Sequence, residues 1–116
     1  TFSNPAGRVT TEARRRALIE AAVAAGITIL EDDPYSALWF DKPAPPPILS
    51  LAEGEASEHV IHVSSLSKTV SPGLRIGWAV LPQALVAPIK LMKSTNDLHS
   101  SIVSQAIGER YLSLGR

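Results

Sequence analysis

Apolar residues recur along this chain with two different periods, and each predicts its own element. Ala17, Leu18, Ala21, Ala22 and Ala25 return every three to four residues, which predicts a helix from Thr11 to Ala25. Glu12 suits the positive start of that helix, and Gly26 suits its end. Ahead of it, Asn4-Pro5-Ala6-Gly7 is turn chemistry. Behind it, Ile27-Thr28-Ile29-Leu30 is a short β-branched run that reads as a buried strand. This strand ends abruptly in three carboxylates, Glu31, Asp32 and Asp33, followed by Pro34.

Residues 41 to 58 read as a surface connection. Four prolines crowd Pro43 to Pro47, and a single helical turn is expected over Ile48 to Ala52. Val60-Ile61-His62-Val63 predicts a second buried strand, running into Ser64-Ser65-Leu66-Ser67-Lys68. Ile76 to Leu81 predicts a third. Helices are expected over 83–95 and 101–114, with Pro88 kinking or restarting the first.

A helix, a strand, a long connection and a second strand in that order imply parallel pairing, because parallel neighbours need a crossover. Ligands of open α/β sheets bind beyond the carboxyl ends of the strands. Both early strands end in conspicuous polar groups, one holding Asp32 and the other Lys68. Parallel pairing would aim them at one crevice.

Composition narrows the partners. Eleven basic and eleven acidic residues balance to zero formal charge, which gives no footing for nucleic acid or an anionic membrane. Arg14, Arg15 and Arg16 share one helical turn and read as a solvated face. The absence of cysteine excludes disulfides and thiolate metal sites and fits a reducing compartment such as the cytoplasm. No apolar run approaches the roughly 20 residues that span a bilayer. His59, His62 and His99 have no metal-ligand spacing; His62 reads as structural, His59 and His99 as exposed. Trp39 and Trp78 read as packing residues. The chain lacks an initial Met and stops at a predicted helix end, so residues 1–116 read as part of a longer protein.

Asn-Pro-x-Gly, Asp-x-x-Tyr and Ser-x-Ser-Lys are each weak signals. Here they stand in order at strand ends, followed by Pro72-Gly73-Leu74-Arg75-Ile76-Gly77-Trp78. In that combination the sequence resembles the class I/II aminotransferases, pyridoxal-phosphate (PLP) enzymes of fold-type I. It is most similar to the branch acting on aminoadipate, kynurenine and other aromatic or branched amino acids. The resemblance covers essentially the whole chain. It implies an α/β fold: a partial PLP-binding large domain, with a mostly parallel sheet flanked by helices.

The resemblance also implies roles. Lys68 would be the Schiff-base lysine and would move the substrate proton. Asp32 would pair with the pyridine nitrogen; Glu31 and Asp33 are rivals by proximity, and the three-residue step to Tyr35 selects Asp32. Tyr35 and Asn4 would bond the ring oxygen. Ser65, Ser67 and Arg75 would hold the phosphate, with Ser64 a lesser candidate, and Gly73 and Gly77 would serve tight backbone geometry. Ala6 stands where Thr or Ser is commoner in the family's turn. The implied reaction moves an amino group from an amino acid to a 2-oxo acid, in a homodimer, with no metal. The ring that stacks on the cofactor, a second phosphate loop and the substrate-carboxylate arginine lie outside this window in the family, so the isolated chain is expected to be inactive. One alternative is the aminotransferase-like, PLP-sensing domain of a winged-helix transcription regulator. Others are a decarboxylase, lyase or synthase on the same scaffold, or a fragment without function.

Overall fold

A computed structural model describes residues 1–115; Arg116, the last position of the expected span, lies outside the described residues. The element order is α1 (Glu12–Ala25), β1 (Ile29–Asp32), α2 (Ile48–Leu51), a 3-10 helix (Gly54–His59), β2 (Val60–Ser65), a 3-10 turn (Pro72–Leu74), β3 (Gly77–Val80), α3 (Gln83–Asn96) and α4 (Ile102–Ser113). The α/β class expected from sequence is present, as helices around a small sheet.

Helix α1 forms as its signals predict. The Thr11 side chain accepts from the Arg14 N–H at the start, and Gly26 closes the end at φ 64°. The three strands lie in the order β1-β2-β3. β1 runs parallel to β2, with Asp32 beside Val63, while β3 returns antiparallel, with Ala79 beside Val63. The parallel pairing expected from the early element order is that of β1 and β2, and β3 adds an antiparallel strand. The reason is local: Leu66 N–H donates to Ile76 O at 3.0 Å, folding the chain back on itself as a tight return.

Several boundaries move. β1 begins and ends two residues later than expected, so Glu31 and Asp32 are strand residues. Strand alternation then separates the carboxylates. Glu31 and Asp33 are buried on one side of the strand, whereas Asp32 is exposed on the other. The strands are not uniformly buried: Ile27 and Leu30 are mostly exposed, and all four residues of β3 are exposed. Pro88 does not restart its helix, since α3 is continuous from Gln83 to Asn96.

The reading of Arg14–Arg16 as one solvated face fails at Arg15, which is 1% exposed. Its guanidinium donates to Glu31 Oε1 at 3.0 Å, to Pro46 O at 3.0 Å, to Thr10 O at 3.1 Å and to the Thr1 hydroxyl. Glu31 in turn accepts from Ile48 N–H at 3.0 and 2.9 Å and from His62 Nδ1 at 3.0 Å. The proline-rich connection is thus fastened by its main chain to a buried ion pair. His59 is half-buried rather than exposed, bonded to Ile27 O at 3.0 Å. Among the described residues no helix is long and apolar enough to cross a membrane.

Removing one partner of a buried ion pair strands the other. Arg15→Ala is expected to lower unfolding stability by about 3–5 kcal/mol, against less than about 0.5 kcal/mol for exposed Arg14→Ala. Urea unfolding of the two variants checks this. Equal losses would contradict the buried role of Arg15.

Candidate active site

The site is built where β1 and β2 end. Because they run in the same direction, Asp32 and the Ser64–Lys68 segment leave the sheet at one edge. Two bonds clamp the strand ends together. Asp33 N–H donates to Val63 O at 2.9 Å, and Ser64 Oγ donates to Asp33 O at 2.8 Å. Ser64 is therefore engaged in the scaffold and has its hydroxyl proton committed there.

Register assigns the faces. Leu30/Ile61, Asp32/Val63/Ala79 and Ser65/Gly77 share one face of the sheet. Glu31/His62/Val80 and Ser64/Trp78 share the other, where α1 and α2 supply Arg15 and the Ile48 N–H. Asp32 and Ser65 thus stand on one face while Glu31 is saturated on the opposite one. Asp33 is 2% exposed, with Oδ1 lacking a hydrogen bond among the described residues and the Thr1 nitrogen 3.7 Å away. Of the three rival carboxylates, only Asp32 is open to a ligand.

Lys68 follows β2 in a turn and is exposed. Its ammonium lies 6.0 Å from the centre of the Tyr35 ring, at the outer limit of a cation–π contact. That distance joins the Asp-x-x-Tyr segment to the Ser-x-Ser-Lys segment in space. Tyr35 also lines a shallow cleft with Phe2, Asn4, Pro5 and Leu38. Asn4 reaches it on a turn closed by Ser3, whose main chain bonds Gly7 N–H at 2.6 Å and Arg8 O at 3.0 Å. Asn4, Tyr35 and Lys68 therefore form one continuous neighbourhood.

Ser65 Oγ accepts from Ser67 N–H at 3.3 Å, which tightens the turn before Lys68. Arg75 is exposed, and among the described residues its one side-chain bond goes to Pro72 O at 3.3 Å. Among the described residues the guanidinium makes no hydrogen bond to either serine. The Leu66–Ile76 bond nevertheless returns the chain beside them immediately after Arg75. Arg75 itself adopts φ 54°, a left-handed conformation that costs a non-glycine residue free energy and gathers at functional sites.

Two supporting residues escaped the sequence reading. Leu66, 1% exposed, plugs the Lys68 turn into the body of the chain. Gly108 of α4 makes room for it, because a Cβ there would lie 2.9 Å from Leu66 Cδ1. A glycine inside a helix costs about 1 kcal/mol relative to alanine, so its presence mid-helix was the available signal. Gly77 has a comparable reason: an added Cβ would sit 3.0 Å from Ser64 O. Gly73 has none, since its nearest neighbour would be Ser71 Oγ at 3.5 Å. Trp39 and Trp78, expected as packing residues, are 46% and 39% exposed.

Comparison with known proteins gives a consistent picture. The family model for aminotransferase class I and II matches residues 1–113. The kynurenine aminotransferase of Pyrococcus horikoshii superposes on 99% of the chain with a TM-score of 0.91 and 34% identity. LysN, the alpha-aminoadipate aminotransferase of Thermus thermophilus, crystallised with N-(5'-phosphopyridoxyl)-L-leucine, superposes with a TM-score of 0.89 and 32% identity over 98% of the chain. The HTH-type transcriptional regulator YdfD of Bacillus subtilis is 36% identical over 98% of the chain. The chain spans 29% and 28% of the LysN and kynurenine aminotransferase chains and 23% of YdfD. A match running from the Asn4 turn through α4, on a shared fold, establishes that the chain belongs to the class I and II aminotransferase family.

Proposed function

We propose that this chain is the cofactor-holding part of a PLP-dependent transaminase that moves an amino group between an amino acid and a 2-oxo acid. The observation that carries the reading is the approach of Lys68 to Tyr35 beside the open Asp32, at the shared end of two parallel strands. The donor set fits the cofactor. It offers one exposed amine, one exposed carboxylate, a phenol, an amide, two seryl hydroxyls and a guanidinium.

Each residue has a task its chemistry suits. Lys68 would supply the amine that holds the cofactor and would carry a proton at the substrate α-carbon. Asp32 holds a proton on the ring nitrogen as its ion-pair partner. Tyr35 and Asn4 orient the ring through its oxygen. Ser65, Ser67 and Arg75 bind the phosphate, Arg75 by a planar, charge-assisted fit. PLP, when bound, supplies the electron sink that withdraws charge from the α-carbon. The intact protein acts as a homodimer in the cytoplasm, on small amino acid and 2-oxo acid substrates.

A second reading has its own support. Relatives 34–40% identical to the chain are HTH-type transcriptional regulators. In such a protein the same residues would bind PLP as a signal, without turnover.

One experiment separates the two. The full-length protein, loaded with PLP, is mixed with candidate amino acids while 2-oxo acid release and the cofactor spectrum are followed. A transaminase releases 2-oxo acid in step with cofactor amination, and Lys68→Ala lowers the rate by about 10²–10⁴-fold, the range for a positioned acid–base group. Arg75→Ala is expected to weaken cofactor binding by about 10- to 100-fold, for the loss of a charged hydrogen bond. Tight cofactor binding with no release from any amino acid would favour the regulator.

A further inference from the structure

Beside Asp32 lies a buried polar cluster that the proposed reaction does not use. Glu31 is 6% exposed and Arg15 1% exposed, and their side chains meet at 3.0 Å. Glu31 accepts from three different elements: Arg15 of α1, His62 of β2 and the Ile48 N–H that opens α2. Both carboxylate oxygens are thereby occupied. His62 faces a carboxylate through Nδ1, so that nitrogen carries the proton and donates. Burying such a group is costly unless every partner is in place, so it holds its surroundings to one arrangement.

Four residues make up β1, and it pairs in parallel with β2. The buried cluster restrains the strand at Glu31 from behind. The two bonds at Asp33, from Ser64 Oγ and to Val63 O, restrain it one residue further on. Asp32 sits between the two restraints and projects to the opposite face.

We propose that the Arg15–Glu31–His62 cluster is a positioning device for Asp32, holding its carboxylate at the place where it meets the ring nitrogen of the cofactor. The inference rests on the proposed transaminase or PLP-sensing reading, because it needs a cofactor at this site. His62, Glu31 and Arg15 act through Asp32 and touch neither cofactor nor substrate.

The test uses the full-length protein loaded with PLP labelled with 15N in the ring, followed by NMR as pH is varied. The wild type keeps the ring nitrogen protonated to high pH, and Asp32→Asn removes that protection. His62→Ala lowers the titration midpoint by about one pH unit, a tenfold loss in the protonation constant. His62→Asn, which returns an N–H near the place of Nδ1, restores most of it. Ser101→Ala removes the cap that Ser101 gives Ser104 N–H on α4 and lowers the melting temperature, yet leaves the midpoint unchanged. If His62→Ala lowers the melting temperature but leaves the midpoint at the wild-type value, the cluster is structural and the proposal is overturned. If Asp32→Asn has no effect on the midpoint, the cofactor reading itself fails, whatever His62 does. Glu31→Gln is a harsher variant that strands Arg15, so the His62 pair carries the decision.

Discussion

The parallel pairing of β1 with β2, at one register, is the constraint on which the rest depends. It places Asp32 beside Val63 and sends both strands off the same edge of the sheet. A slip of one residue would turn every side chain of β1 to the other face. Asp32 would then be buried beneath α1, and Glu31 or Asp33 would face outward. Side chains reinforce the backbone in choosing the register. His62 reaches Glu31 only when the two share a face, and Ser64 reaches Asp33 O only at this offset.

Buried polar groups carry part of that specificity, beside a small apolar core. Among the described residues the buried apolar side chains are Ile19, Ala22, Val60 and Leu66. Arg15 ranks with Leu66 and Val60 among the large side chains that are fully buried. An ion pair in such a place contributes less net stability than its geometry suggests, since desolvation offsets attraction. Its effect lies in the cost of alternatives, because any other packing would leave Arg15 or Glu31 buried without its partner. Leu66 and Gly108 do the corresponding apolar work at the Lys68 turn.

What could be read from the residues was what is encoded locally. The α1 period, its cap at Thr11 and its stop at Gly26 are contiguous signals, and the helix formed within one residue of expectation. The three short motifs were legible for the same reason, and the fold gathers Asn4, Tyr35 and Lys68 into one neighbourhood. Long-range choices were not legible. Nothing in Arg14-Arg15-Arg16 says which arginine turns inward; Glu31, sixteen residues away, decides it. Charged residues normally end a strand, whereas β1 runs on through Glu31 and Asp32. The antiparallel return of β3 depends on the Leu66–Ile76 bond, which no periodicity announces. Arg75 was legible as a candidate anion ligand, but its left-handed backbone was not, because arginine carries no preference for that conformation.

The most direct test of the site is to find which lysine takes the cofactor. The full-length protein is incubated with PLP, reduced with borohydride, digested and mapped by mass spectrometry. Within these residues the candidates are Lys42, Lys68, Lys90 and Lys93. Convergence of the two strand ends predicts label on Lys68 alone, at one equivalent per chain. Label spread evenly over the four, or confined to any lysine but Lys68, would contradict the account.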